Sequence, residues 1–87
     1  MTSVKNIRGT SDTRKSQSLL GEWMEYTGTT RRPHCAVVGC PHAATDGAHV
    51  IITESGLKQY IVPMCHSHNM TYDVELVVHG QIMPVVR

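Results

Sequence analysis

The sequence predicts a small α+β domain, and three observations lead to this fold class. The chain has 87 residues, which is the length of one small domain. Residues 16–28 carry apolar side chains at helical spacing, and four later segments are short and apolar, as strands are. With one Trp and no Phe, the core has few large anchors, so we expect support from disulfides, a metal ion or a partner chain.

The N-terminal residues 1–15 are predicted to be a flexible basic arm, and residues 16–87 a single domain. The arm is rich in Ser, Thr, Lys and Arg and shows no apolar periodicity. Residues 1–32 hold six basic and three acidic side chains, an excess that would favour phosphate groups or an acidic protein surface. A solvated tail is the simpler interpretation of so small an excess.

The segment SQSLLGEWMEYTG, residues 16–28, predicts the first helix. Its apolar residues fall on one stripe and its two glutamates lie off that stripe. Ser16 or Ser18 can cap the start of the helix, and Gly28 suits the position just beyond its end. We expect Trp23 to pack this helix onto the core.

Four strands are predicted after the helix, as two hairpins. Residues 48–53 and 58–63 are rich in β-branched residues, and the ESGL segment between them contains the Gly expected of a hairpin connection. Residues 74–79 and 82–86 predict a second, C-terminal hairpin. Pro84 lacks a backbone N–H, which confines the last strand to an edge of the sheet.

The three cysteines predict a metal site, since an odd number cannot form a closed set of disulfides. Cys35 and Cys40 are separated by four residues, and Cys65 and His68 by two, with a predicted hairpin between the pairs. Cys65 also stands where a short helix is predicted to begin. Thiolate and imidazole groups at these spacings are ligands of structural Zn²⁺. Three other histidines could replace His68 as the fourth ligand: His42, His49 and His66.

The expected location is the cytoplasm. Nothing in the first residues resembles a signal peptide, and no apolar run approaches the roughly 20 residues needed to span a bilayer. We therefore expect no association with a membrane. In a reducing compartment, cysteines near histidines favour metal binding over disulfides.

The order of these features resembles the HNH nucleases, also called His-Me finger or ββα-metal nucleases. The resemblance covers residues 33–72 and rests on C-x4-C, on DGAHVI in the first strand of a hairpin, and on YIVPMCHSHN entering a helix. It implies a zinc-stapled, treble-clef-like ββα core, flanked here by the N-terminal helix and the C-terminal hairpin.

The resemblance also implies two catalytic residues. His49 matches the strand histidine that serves as general base, and Asn69 matches the helix position that binds a catalytic divalent ion, Mg²⁺ or Mn²⁺. The residue before the strand histidine is normally Asp or His, but here it is Ala48. Asp46 could substitute only if the backbone bulges. Two other interpretations of His49 are a zinc ligand and a histidine that hydrogen-bonds within the hairpin.

Two functions follow as expectations. The first is a zinc module that engages nucleic acid, either as an endonuclease with a weakened catalytic site or without cleavage. The basic residues expected to contact phosphates are Arg8, Arg14, Lys15, Arg31 and Arg32. The alternative is a non-catalytic adaptor or inhibitor that uses zinc only for stability and binds a protein through residues 74–86. The choice of DNA or RNA and the oligomeric state stay open.

Overall fold

Five antiparallel strands and two helices form the described part of the computed structural model, which comprises residues 1–7, 13–53 and 58–85. The elements are β1 Thr2–Asn6, α1 Thr13–Thr27, β2 Asp46–Ile52, β3 Gln59–Met64, α2 His66–Asn69, β4 Leu76–Val78 and β5 Met83–Pro84. The strand order is β4-β1-β2-β3-β5. The predicted α+β class is confirmed.

Strand β1 lies inside the sheet, between β4 and β2. Val4 pairs with Leu76 on one side and with Ile52 on the other, and its side chain is fully buried. The flexible arm predicted for residues 1–15 is therefore wrong for Thr2–Asn6, and it is also wrong for residues 13–15, which belong to α1. The alternation of buried Val4 and Asn6 is short, and the polar residues that follow it made it hard to recognise as a strand. Residues 8–12 lie outside the described residues.

Helix α1 begins at Thr13, so the predicted caps Ser16 and Ser18 lie inside it, but it ends as its sequence predicts. Gly28 has a φ of 72°, and its N–H donates to the carbonyl of Glu25, while the N–H of Thr29 donates to the carbonyl of Met24. These two bonds form a Schellman motif, which needs a residue in the left-handed region. Trp23 is buried, and its Nε1 donates to the carbonyl of Gln81 at 3.0 Å. The expected core position of Trp23 is confirmed.

The first predicted hairpin is confirmed as β2 and β3, with strands that start and end slightly differently from the prediction. Ala48 pairs with Val62, and the register continues without interruption from Asp46 to Ile51. Alternate residues of β2 therefore point to opposite faces of the sheet. On one face, Ala48 and Val50 are fully buried in a core that also contains Cys35.

The other face of β2 is covered by α1. A Cβ atom at Gly47 would overlap backbone atoms of Leu19 and Leu20. Only glycine allows the helix to come this close to the strand. Leu20 is buried at this contact, and so is Ile61 of β3.

The predicted C-terminal hairpin is wrong. Strand β4 pairs with β1 and β5 pairs with β3, so the two lie at opposite edges of the sheet. The outer side of β4 is occupied by the chain before β2, because Val38 donates to the carbonyl of Val77 and His79 donates to that of Ala36. Pro84 does lie on an edge strand, as predicted. No helix within the described ranges is long and apolar enough to cross a membrane.

Candidate metal centre

Four predicted ligands converge beside the end of β3. The sulfur atoms of Cys35, Cys40 and Cys65 and the imidazole of His68 lie within 4.8 Å of one another. Sγ of Cys40 is 3.9 Å from Sγ of Cys65. Nδ1 of His68 is 3.2 Å from Sγ of Cys65 and 3.5 Å from Sγ of Cys35. The structure thus brings together four side chains that could hold one metal ion.

The spacing of these atoms fits a tetrahedral ion. Bond lengths of about 2.3 Å to sulfur and about 2.05 Å to nitrogen give edges of about 3.8 Å between two sulfurs and about 3.6 Å between sulfur and nitrogen. Three of the six separations, 3.9 Å between sulfurs and 3.5 and 3.2 Å between sulfur and nitrogen, lie within about 0.4 Å of these values. All three cysteines are free thiols, since a disulfide needs sulfurs about 2.05 Å apart.

A tight loop carries the first pair of candidate ligands, Cys35 and Cys40. The N–H of Cys40 donates to the carbonyl of Val37 at 3.0 Å, and Gly39 between them has a φ of 84°. The backbone N–H groups of Val37 and His42, each two residues beyond a cysteine, donate to the sulfurs of Cys35 and Cys40. Such donors stabilise a thiolate, the form that binds metal.

The second pair comes from the junction of β3 and α2. Cys65 precedes the helix with extended backbone, at φ −68° and ψ 157°. Its carbonyl accepts the N–H of Asn69 at 3.0 Å, which closes the first helical turn. Residues three apart lie on the same side of a helical turn, so Cys65 and His68 face the same point.

The environments of the thiols differ. Burial raises the pKa of the Cys35 thiol to about 11, although N–H groups of Cys65 and Val37 act against this rise. The N–H of His42 lowers the pKa of the Cys40 thiol, which is only partly buried. Metal binding must therefore displace a proton from Cys35 at neutral pH.

A polar cluster that the sequence analysis did not predict joins α2 to the sheet. Asp46 is 3% exposed, and its Oδ2 accepts Nδ2 of Asn69 at 2.8 Å and lies 2.9 Å from Nδ1 of His66. Thr45 donates its hydroxyl to Oδ1 at 3.1 Å. One signal was available in the sequence. Asp46 is a charged residue two positions before Ala48, so it lies on the same face of the strand and is buried with Ala48.

Asn6 of β1 holds the other end of the same helix. Its Nδ2 donates to the carbonyls of His68 and Thr71, each at 2.8 Å. The helix that carries the candidate ligand His68 is therefore held by a side chain from the segment predicted to be an arm. The sequence gives no direct signal for this contact, since it joins residues more than 60 positions apart.

The two candidate catalytic residues point to opposite faces of the sheet. His49 shares the face of Gly47, toward α1, and both of its ring nitrogens are buried. Asn69 contacts Asp46 on the other face. The β2 backbone has no bulge at Asp46. The carboxylate of Asp46 is hydrogen-bonded to neighbouring side chains. The remaining candidate ligands do not join the cluster: His42, His49 and His66.

No protein-family model, curated protein or solved structure matches this chain. Function is therefore inferred from the geometry of the residues themselves.

Proposed function

We propose that this protein is a zinc-stabilised binding module that engages nucleic acid without cleaving it. The observation that carries the zinc assignment is the convergence of three thiols and one imidazole within 4.8 Å of one another. Four protein ligands leave no open position, which is typical of structural rather than catalytic zinc. In this proposal the Cys35–Cys40 loop, the β2–β3 hairpin and α2 form the treble-clef-like core implied by the HNH resemblance.

Metal analysis of the purified chain tests the zinc assignment. We expect one Zn²⁺ per chain in the unaltered protein and in His66→Ala. His68→Ala should lower zinc affinity by at least roughly a hundred-fold, because it removes one of four ligands. The two variants are matched, since both remove an imidazole from α2. A folded chain without zinc, or a larger loss in His66→Ala, would contradict the assignment.

Two exposed arginines support nucleic acid as the partner. Arg31 and Arg32 stand four and three positions before Cys35, and neither forms an ion pair with another residue in the described ranges. Arg32 also lines a groove of about 590 Å³ together with Gln17. Guanidinium and amide groups are common donors to nucleic-acid phosphates.

The surroundings of His49 and Asn69 favour binding over cleavage. A general base must reach the proton of the attacking water, but both ring nitrogens of His49 are buried. The amide of Asn69 donates to Asp46 and not toward solvent. With Ala48 in place of an acidic residue or histidine, a catalytic Mg²⁺ or Mn²⁺ would lack an ordinary ligand set.

Fluorescence anisotropy with labelled single-stranded DNA, duplex DNA and RNA tests the partner. We expect binding that weakens with salt, and Arg32→Gln should reduce the slope of log affinity against log salt by roughly 1. Lys58→Gln, which removes an exposed charge elsewhere, is the matched control. No binding to any of the three probes would overturn the assignment of the partner.

A cleavage assay separates binding from catalysis. The zinc-loaded protein is incubated with plasmid and single-stranded DNA in Mg²⁺ or Mn²⁺, beside His49→Ala. We expect no cleavage by either protein. Nicking that disappears in a folded His49→Ala variant would instead establish an endonuclease and assign His49 its catalytic role.

One observation favours the adaptor function as second candidate. Val38 and Val77 are 47% and 41% exposed and are joined by a backbone hydrogen bond of 2.9 Å. Neighbouring exposed apolar side chains often mark protein interfaces. Val77→Asp should then abolish capture of a protein partner while leaving nucleic-acid binding unchanged.

A further inference from the structure

An open groove gives access to one side of the metal centre. Its volume is about 380 Å³, and its lining includes Cys40, Cys65, Ser67 and His68. Cys35 is 1% exposed and does not line this groove. A small molecule that enters from solvent therefore meets two of the three cysteines.

These two cysteines differ in exposure but lie close together. Cys40 is partly buried, whereas Cys65 is 6% exposed. Their sulfurs are 3.9 Å apart, so a disulfide requires an approach of about 2 Å. Gly39, next to Cys40, has open space around it and a positive φ, which leaves the loop room to adjust.

We propose that Cys40 and Cys65 are a peroxide-sensitive modification site that controls the metal content of the protein. This inference rests on the proposed zinc site, and it adds an activity that a purely structural centre does not have. The substrate class is a small hydroperoxide, which fits the open groove. Cys40 is the sulfur attacked first, since it is the more exposed of the two.

The reaction balances with hydrogen peroxide as the oxidant. An electron pair on the Cys40 sulfur attacks one peroxide oxygen, the O–O bond breaks, and the leaving hydroxide takes a proton to become water. The resulting sulfenic acid is attacked by the Cys65 thiolate. The S–O bond then breaks, a second hydroxide leaves and is protonated, and a disulfide forms. Two sulfurs are oxidised and two peroxide oxygens are reduced.

Oxidation removes two of the four ligands, so the centre releases its ion. Cys35 and His68 alone cannot complete a tetrahedral site. The loop of the first ligand pair then stays attached to the β3–α2 junction by the disulfide instead of by zinc. A thiol reductant reverses the reaction, because disulfides and sulfenic acids are both reducible.

The test follows zinc and thiols together in the full zinc-loaded chain. Hydrogen peroxide is added in steps, released zinc is read with a chromogenic chelator, and the cysteine pairing is mapped by mass spectrometry. We expect zinc release to parallel a Cys40–Cys65 disulfide, with Cys35 still reduced. Dithiothreitol followed by zinc should restore the starting content.

Cys40→His is the matched variant, because a Cys2His2 set can still hold Zn²⁺. We expect peroxide to release zinc from it roughly ten-fold more slowly, since the exposed sulfur is gone. The disulfide identified by mass spectrometry in the unaltered chain tests the proposal without a variant. This test therefore remains valid if Cys40→His fails to fold.

Two results would overturn the proposal: zinc retained with all thiols intact, or a principal disulfide that contains Cys35. The zinc content before peroxide separates this proposal from the one it rests on. A chain that holds one Zn²⁺ and resists peroxide contradicts only the redox site, whereas a chain without zinc contradicts both.

Discussion

Asp46 and Asn6 show how single polar residues position the helix that carries His68, a candidate metal ligand. Asp46 accepts the Asn69 amide at the start of β2, and Asn6 donates to the carbonyl of His68. Both side chains are buried. Buried polar groups stabilise a fold only when they are paired, so the two contacts fix α2 against two neighbouring strands.

Replacing Asp46 tests this role at the scale of one residue. Asp46→Ala leaves the Asn69 amide buried without this acceptor, which should lower the free energy of unfolding by about 1–3 kcal/mol. Zinc affinity should fall roughly ten-fold, because supporting contacts orient the ligands. Urea unfolding of the zinc-loaded protein and competition with a chelator measure the two effects.

Glu75→Ala removes an exposed carboxylate and is the control for Asp46→Ala. It should change stability by no more than about 0.5 kcal/mol. Equal urea concentrations at the midpoint of unfolding for the two variants would show that Asp46 does not hold α2 in place.

At the scale of elements, the close contact of α1 with β2 depends on Gly47. The helix backbone occupies the space where a Cβ atom would stand, next to Leu19 and Leu20. The same face of the strand carries His49, whose ring nitrogens are both buried. The helix thus covers the face of β2 on which His49 lies.

Gly47→Ala should destabilise the protein by about 2–3 kcal/mol or more, because neither backbone can move away locally. Gly21→Ala is the matched control in the facing helix, where a Cβ meets no atom within 4 Å. It should stabilise the helix by about 0.5–1 kcal/mol. Thermal unfolding followed by circular dichroism measures both changes, and equal effects would contradict the close contact.

The elements predicted from sequence were those with a long or repeated local pattern. The stripe around Trp23 and the β-branched segments of β2 and β3 carry such patterns, and all three elements are present. Strand β1 has only five residues, too few to stand out beside a polar neighbour. The pairing of β4 and β5 was mispredicted, because adjacency in sequence favours a hairpin while distant strands supplied better partners.

The group of four candidate metal ligands was predictable for a different reason. Ligand spacing within each pair is a local property, so Cys35, Cys40, Cys65 and His68 could be identified from sequence. The supporting contacts of Asn6 and Asp46 join distant segments, and no local pattern indicates them.

At the scale of the whole molecule, a zinc ion bound as proposed would couple folding to pH. Burial raises the pKa of Cys35 to about 11 from its ordinary value of 9.0, so this thiol is protonated in the metal-free fold at pH 8. Zinc bound by Cys35 would have to displace that proton, so we expect zinc affinity to rise with pH. The stability of the metal-free protein changes with pH in the opposite direction. The Cys35 thiol loses its proton at a lower pH in the unfolded chain than in the fold, so the stability of the fold falls between pH 9.0 and about 11.

Calorimetric zinc titration in two buffers of different ionisation enthalpy counts the displaced protons. At pH 8 we expect at least one proton released per Zn²⁺ bound, as thiols give up their protons to bind metal. Cys35→Ala should release fewer protons and bind zinc more weakly. An unchanged proton count in Cys35→Ala would show that the buried thiol does not ligate the ion.

The place of β1 in the sheet has a consequence for the order in which the protein acquires its structure during translation. The residues of β1 leave the ribosome before those of either neighbour, yet they must pair with Asp46–Ile52 on one side and Leu76–Val78 on the other. Pairings between such distant segments close slowly. Strand β1 is thus held on both sides only after residue 78 has emerged, by which point all four candidate metal ligands have already been made.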